Sequence, residues 1–153
     1  MTADRFARLF REGVDGRGVS GGVYQLRGRV TVGAIAQQAA RAGWRCFYLR
    51  GWRINDKATF LAACAEAMRF PGYFGHNWDA LEESLTDLAW APARGYVTLY
   101  EDAAPFAQQH PQEWRIALAI LRHSAAARQA RGVPFLGLFR RGGGAGGGPP
   151  AFF

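Results

Sequence analysis

Apolar residues recur along this 153-residue chain in helical and strand-like rhythms that alternate. From Asp4 to Glu12, Phe6, Leu9 and Phe10 share one helical face and Arg5, Arg8 and Arg11 lie nearer the other, predicting a short terminal helix docked on its own domain. Gly13 to Gly22 is a glycine-rich connector, followed by a strand-like run from Val23 to Leu26. Helical spacing then holds from Val32 to Arg41, with Gly43 as its stop, and Trp44 to Arg50 is a strand. Gly51 to Ile54 turns the chain. Asn55 or Asp56 can cap a helix on which Leu61, Cys64 and Met68 recur on one side. A loop from Arg69 to His76 holds Pro71-Gly72 and the aromatic pair Tyr73-Phe74. Asn77 is a suitable N-cap for a helix reaching about Leu88. Gly95 to Tyr100 is rich in strand formers, Pro111 opens a long helix carrying Trp114, Leu118 and Leu121, and Gly132 closes it. Val133 to Phe139 is the last strand.

Strands that alternate with helices predict an α/β fold: a small, mainly parallel β-sheet packed with helices, plus an N-terminal strand/helix extension. Three segments follow. Residues 1–21 form the terminal helix and its connector, residues 22–139 the α/β domain with an N-terminal addition at 22–43, and residues 140–153 a flexible Gly/Pro-rich tail. That tail has six glycines, two prolines and two arginines in fourteen residues. Its last two residues, Phe152-Phe153, are better assigned to the tail than to a recognition motif.

Composition supports one folded domain, with 49% apolar, 14% aromatic and 20% charged residues. No stretch lacking an ionisable residue exceeds about a dozen positions, against roughly 18 needed to span a bilayer. Seven charges within the first 17 residues do not fit a secretory signal. Cys46 and Cys64, in strand and helix patterns without ligand spacing, are expected as reduced thiols of a cytoplasmic protein. Gly16 to Gly21 formally matches GxGxxG, but no strand precedes it and a strand follows, so a nucleotide site is not expected there.

Charge changes the picture locally. The chain carries +7, with eighteen arginines and one lysine against twelve acids. Between Pro71 and Asp102, however, six acids (Asp79, Glu82, Glu83, Asp87, Glu101, Asp102) face one base, Arg94. On the helix after Asn77, Trp78, Leu81, Leu85 and Leu88 form the burial face. Asp79, Glu83 and Asp87 repeat every fourth residue on another, with Glu82 beside them. Each like-charged i, i+4 pair costs roughly 0.2–0.5 kcal/mol, and no base on that helix offsets it. Two explanations fit: a solvated acidic face, or a docking surface for something positively charged.

The run Tyr73-Phe74-Gly75-His76-Asn77-Trp78-Asp79-Ala80-Leu81, then Glu83 and Leu85-Thr86, resembles the signature segment of the barstar family of ribonuclease inhibitors. The likeness extends more loosely from Trp44 to Phe139. It implies a barstar-like fold and a stoichiometric inhibitor whose loop and helix plug the active site of a basic ribonuclease in the producing cell. By position, Tyr73 matches an aromatic contact residue and Asn77 the residue that starts the helix. Asp79 matches an acid that meets the enzyme's basic groups, and Glu83 the acid that occupies the RNA phosphate position. Glu83 stands where the familiar pattern has Asp, Glu82 where it has an aromatic residue, and the last helix is basic between Arg122 and Arg131.

The expected partner is thus a basic ribonuclease, with no membrane and no cofactor or metal. Three alternatives stay open: an immunity or antitoxin protein against another cationic toxin, an RNA-binding module drawing on scattered arginines with Trp44, Tyr48 and Trp52, and a structural or interaction protein that shares the fold but not the target. Against the second, Phe47 and Tyr48 fall in a core strand and no arginine stripe is evident, so direct nucleic-acid binding is not expected. An enzyme is not expected either: His76, His110 and His123 lack ligand spacing, and Ser84 lies in no GxSxG turn.

Overall fold

The computed structural model describes residues 10, 22–26, 29–88 and 91–141. The predicted terminal helix (apart from Phe10), the GxGxxG-like run and the tail beyond Arg141 lie outside them. Among the described residues there are four strands, β1 (Gly22–Gln25), β2 (Trp44–Arg50), β3 (Gly95–Glu101) and β4 (Phe135–Arg140). The helices are α1 (Val32–Arg41), α2 (Lys57–Met68), α3 (Trp78–Asp87), α4 (Ala104–Gln109) and α5 (Pro111–Ala130), with a 3-10 turn at Gly51–Arg53.

All three strand pairings are parallel, in the order β1-β4-β3-β2. Parallel neighbours need crossovers, and the helices that supply them cover both faces of the sheet. The two central strands consequently read as nearly unbroken apolar runs. On one face Phe47, Tyr96, Tyr100, Phe135 and Phe139 pack with buried residues of α2, α3, α4 and α5. On the other, Val97, Leu99, Leu136 and Leu138 pack with Leu26, Val30, Ile35 and Ala39. Phe10 joins this second core, its ring 4.9 Å from that of Trp44. The strand/helix extension is therefore part of the sheet: β1 pairs with β4, and α1 covers the second face.

Two glycines mark close approaches. A Cβ at Gly95 would run into the indole of Trp44, its register partner across β2 and β3. At Gly51 it would meet the main-chain carbonyls of Glu101 and Asp102, so the turn after β2 lies directly against the end of β3. At that same end, Arg140 Nη2 meets Glu101 Oε1 at 3.2 Å, both side chains mostly buried, and Arg140 Nη1 donates to the Val30 carbonyl at 2.6 Å. One guanidinium thereby ties β4 both to β3 and to the segment between β1 and α1.

Helix starts agree with the capping chemistry in the sequence. Of Asn55 and Asp56, it is Asp56 that caps α2. Its carboxylate accepts from Thr59 N at 2.8 Å, and the Thr59 hydroxyl accepts from Asp56 N at 3.1 Å. The short helix α4 was not expected. Its N-cap, Ala103, makes no side-chain cap hydrogen bond, and its anchor is Phe106, fully buried against Phe60 and Trp114. The last strand starts at Phe135, two residues later than its pattern suggests.

Candidate functional site

The acidic helix is α3, and its entry loop is shaped by three local contacts. The Phe74 N–H donates to the Pro71 carbonyl at 2.9 Å, closing a turn around Gly72 and Tyr73. Phe74 points inward, its ring centroid 4.7 Å from that of Phe70 and 4.8 Å from the His76 imidazole. Tyr73 consequently points outward and is 85% exposed. His76 takes the left-handed conformation (φ 49°), with Nδ1 3.1 Å from the Phe74 carbonyl oxygen. The Asn77 side chain then accepts from Ala80 N at 2.8 Å and starts the helix.

Burial of one stripe fixes the roll of α3. Leu81 and Leu85 are fully buried. Trp78 is half-buried, with its ring centroid 6.1 Å from that of Phe60 and the Lys57 ammonium 5.3 Å from its ring centre. With that face inward, Asp79, Glu83 and Asp87 are exposed. Among the described residues, no ion pair engages any of these three carboxylates.

The neighbouring helix α5 supplies bases, but to other atoms. His123 Nε2 lies 3.2 Å from Glu82 Oε1. Arg128 Nη1 and Arg131 Nη1 both donate to the Thr86 carbonyl at 3.2 Å. Thr86 lies in the last turn of α3, where main-chain carbonyls lack helical partners and carry partial negative charge. Arg128 is buried and its guanidinium carbon lies 5.0 Å from the Tyr96 ring centre. Basic groups of α5 and of its C-cap Arg131 thus hold the C-terminal end of α3 and its flank, while Asp79 and Glu83 are exposed.

Asp79, Glu82, Glu83, Thr86 and His123 line one shallow, open depression. Of the four residues singled out from the sequence, Asp79 and Glu83 come together there. Tyr73 projects from the preceding loop, and Asn77 is committed through its side chain to the cap; neither lines the depression. Sequence reasoning missed the pairing of Glu82 with His123. The two residues are 41 positions apart on different helices, and no local spacing links them.

Among the described residues, no group of three or more His, Cys, Asp or Glu side chains is placed to hold a metal ion. None of the described helices is long and apolar enough to cross a membrane. Cys46 and Cys64 both carry thiols rather than a disulfide. Burial pushes the Cys46 thiol up to about 11 and the Cys64 thiol higher still.

A family model described as Barstar (barnase inhibitor) matches residues 44–140, most of the described chain. No curated protein matches by sequence. In structure, the chain is similar to the Aeropyrum pernix ORC2 protein in its ADP form, with 14% identity and a TM-score of 0.65. It is also similar to the same protein in its ADPNP–ADP complexes, with 15% identity and a TM-score of 0.60. Each alignment covers 91% of this chain but only 40% of the ORC2 chain. At such identities the likeness concerns the α/β fold alone.

Proposed function

The chain belongs to the barstar family, and from that premise we propose that it is an intracellular inhibitor of a basic ribonuclease, acting by insertion of α3 and its entry loop into the enzyme's cleft. The observation that carries this is the pair of outward, unpaired carboxylates of Asp79 and Glu83 on a rigidly held helix, beside the exposed ring of Tyr73. A ribonuclease cleft is lined with cationic groups that hold phosphate. Carboxylates delivered there replace the substrate's charge and form strong charge-assisted hydrogen bonds.

The local energetics favour a partner. Asp79 and Glu83 repel each other by roughly 0.2–0.5 kcal/mol in the unbound helix, and a cationic cleft relieves that repulsion. The roles differ by residue. Glu83, in the middle of α3, stands for phosphate, Asp79 one turn earlier meets the flanking bases, Tyr73 supplies an aromatic contact, and Asn77 fixes where the helix begins. Glu82, held by His123, forms the rim.

Titration against a panel of basic ribonucleases tests this. Inhibition of at least one enzyme with a one-to-one end point, relieved competitively by RNA, is the expected result. Absence of inhibition across the panel, together with tight binding to a cationic toxin that is not a ribonuclease, would transfer the same surface to an immunity role.

A further inference from the structure

Away from the acidic helix, a cleft of about 480 Å3 runs along the open edge of the sheet between β2 and α2. Tyr48, Arg50 and Arg53 line it from the β2 side, and Thr59, Glu66 and Arg69 from the α2 side. It shares no residue with the acidic depression. Three arginines thus line one cleft from three elements: the end of β2, the 3-10 turn and the C-cap of α2. Among the described residues, none of the three has a carboxylate within 4 Å.

Aromatic surface accompanies the charge. The Arg50 guanidinium carbon lies 5.5 Å from the centre of the Tyr48 ring. Trp52, 52% exposed, stands edge-on to Tyr48 at 6.5 Å between centroids. The packing of Gly51 against the carbonyls of Glu101 and Asp102 holds the turn that carries Trp52 and Arg53. Arg69 takes the left-handed conformation (φ 52°) at the C-cap of α2, a position where glycine is favoured, and lines the cleft. From Thr59 to Arg69 the helix axis advances about 15 Å, longer than a single phosphate requires.

We infer that this cleft binds single-stranded RNA, with Arg50, Arg53 and Arg69 on successive phosphates and Tyr48, with Trp52 beside it outside the lining, as stacking surfaces. Positive charge tracking a backbone beside exposed aromatic rings is the general chemistry of single-strand recognition. In this assignment Glu66, the one acid among the lining residues, accepts from ribose hydroxyls, which favours RNA over DNA, while the Tyr48 hydroxyl is turned to Glu101 Oε1 at 3.5 Å. This set of arginines is invisible in the sequence because residues 50, 53 and 69 share a cleft only once α2 folds back along β2.

Fluorescence anisotropy of a labelled single-stranded RNA decamer, over a salt series and with the full chain, tests the assignment. The Arg50→Gln, Arg53→Gln, Arg69→Gln variant is expected to lose at least tenfold in affinity at low salt. Its log affinity against log salt should flatten by about two, since each single-strand phosphate contact contributes roughly 0.7. Trp52→Ala, which leaves every charge in place, should weaken binding by about tenfold with the slope unchanged. Asp79→Ala should not weaken it. Wild-type affinity in both the arginine and Trp52 variants overturns the proposal. So does equal competition by a free mononucleotide, which would make this a nucleotide site, or by poly-glutamate, which would make it a general anion or acidic-peptide surface.

Discussion

Arg128 is the residue through which the hidden side of the acidic helix can be tested. Arg128→Met keeps an unbranched apolar stem and removes the guanidinium with its charge. Three terms change. The charged hydrogen bond to the Thr86 carbonyl, at 3.2 Å, is worth roughly 1.5–3 kcal/mol. The contact with the Tyr96 ring, at 5.0 Å and largely dehydrated, adds about 1–2 kcal/mol. Against these, Arg128 Nε is buried without a partner, a cost of roughly 1–3 kcal/mol that the variant removes. Arg131 also keeps a bond to the same carbonyl. The net expectation is a loss of about 1–3 kcal/mol. For a chain of this size that lowers the melting temperature by roughly 2–12 °C. Arg131→Met, at an exposed position, should cost less than about 1 kcal/mol. Paired thermal melts of the two variants provide the comparison. If Arg131→Met destabilises as much as Arg128→Met, or neither shifts the transition, burial of the guanidinium does not anchor α3.

The mostly buried pair of Arg140 and Glu101 should show strong coupling: Arg140→Met alone strands a carboxylate and costs roughly 3–5 kcal/mol, whereas the double variant with Glu101→Met recovers most of that. Denaturant titrations forming a double-mutant cycle give the coupling, and additive losses would count against it. The thiols of Cys46, pushed up to about 11, and of the fully buried Cys64 should resist alkylation at neutral pH until the protein unfolds. Rapid labelling of the native protein, followed by mass spectrometry, would contradict the burial of Cys64 and, for the half-buried Cys46, its raised value. Hydrogen bonds from the Thr59 N–H and hydroxyl hold the Asp56 carboxyl below its ordinary value. Its stabilising contribution is complete above the unfolded-state value and is lost as pH falls through the lower folded-state value. Melts of wild type and Asp56→Asn between about pH 6 and pH 2 should therefore converge as acid is added. A constant gap would place the pH dependence elsewhere.

Local chemistry carried far in this sequence. Asn77 and Asp56 start their helices because a short side chain beside an extended backbone can satisfy an orphan N–H. Tyr96 to Tyr100 and Phe135 to Phe139 are nearly unbroken apolar runs because both faces of a parallel sheet are covered. The roll of α3 follows from Leu81 and Leu85, so the exposure of Asp79 and Glu83 was legible as soon as that helix was. What was not legible is long-range. The sheet order places β1 beside β4 and not beside β2, its successor in the chain, a choice made by the crossovers rather than by any strand's own residues. The pairing of His123 with Glu82, the grip of Arg128 and Arg131 on Thr86, and the meeting of Arg140 with Glu101 all join distant positions. Helix α4 escaped notice for a different reason. It has no side-chain cap, its pattern is short, and the burial of Phe106 defines it.

The proposed docking surface has bases close by, since Arg128 and Arg131 hold the Thr86 carbonyl and His123 meets Glu82, but none of them pairs with Asp79, Glu83 or Asp87 among the described residues. On approach of a cationic enzyme, Asp79, Glu83 and Asp87 act within a screening length of roughly 8–10 Å, where Arg128 and Arg131 offset part of their field and only the remoter arginines are damped by salt.

Inhibition of a cognate ribonuclease by Asp79→Ala, Glu83→Ala and the double variant, each confirmed as folded by an unchanged thermal transition, measures the proposed charge mimicry most directly. Each single change should raise the inhibition constant by roughly a hundredfold or more, as expected when one member of a desolvated ion pair is removed. Wild-type inhibition by the folded double variant would contradict it.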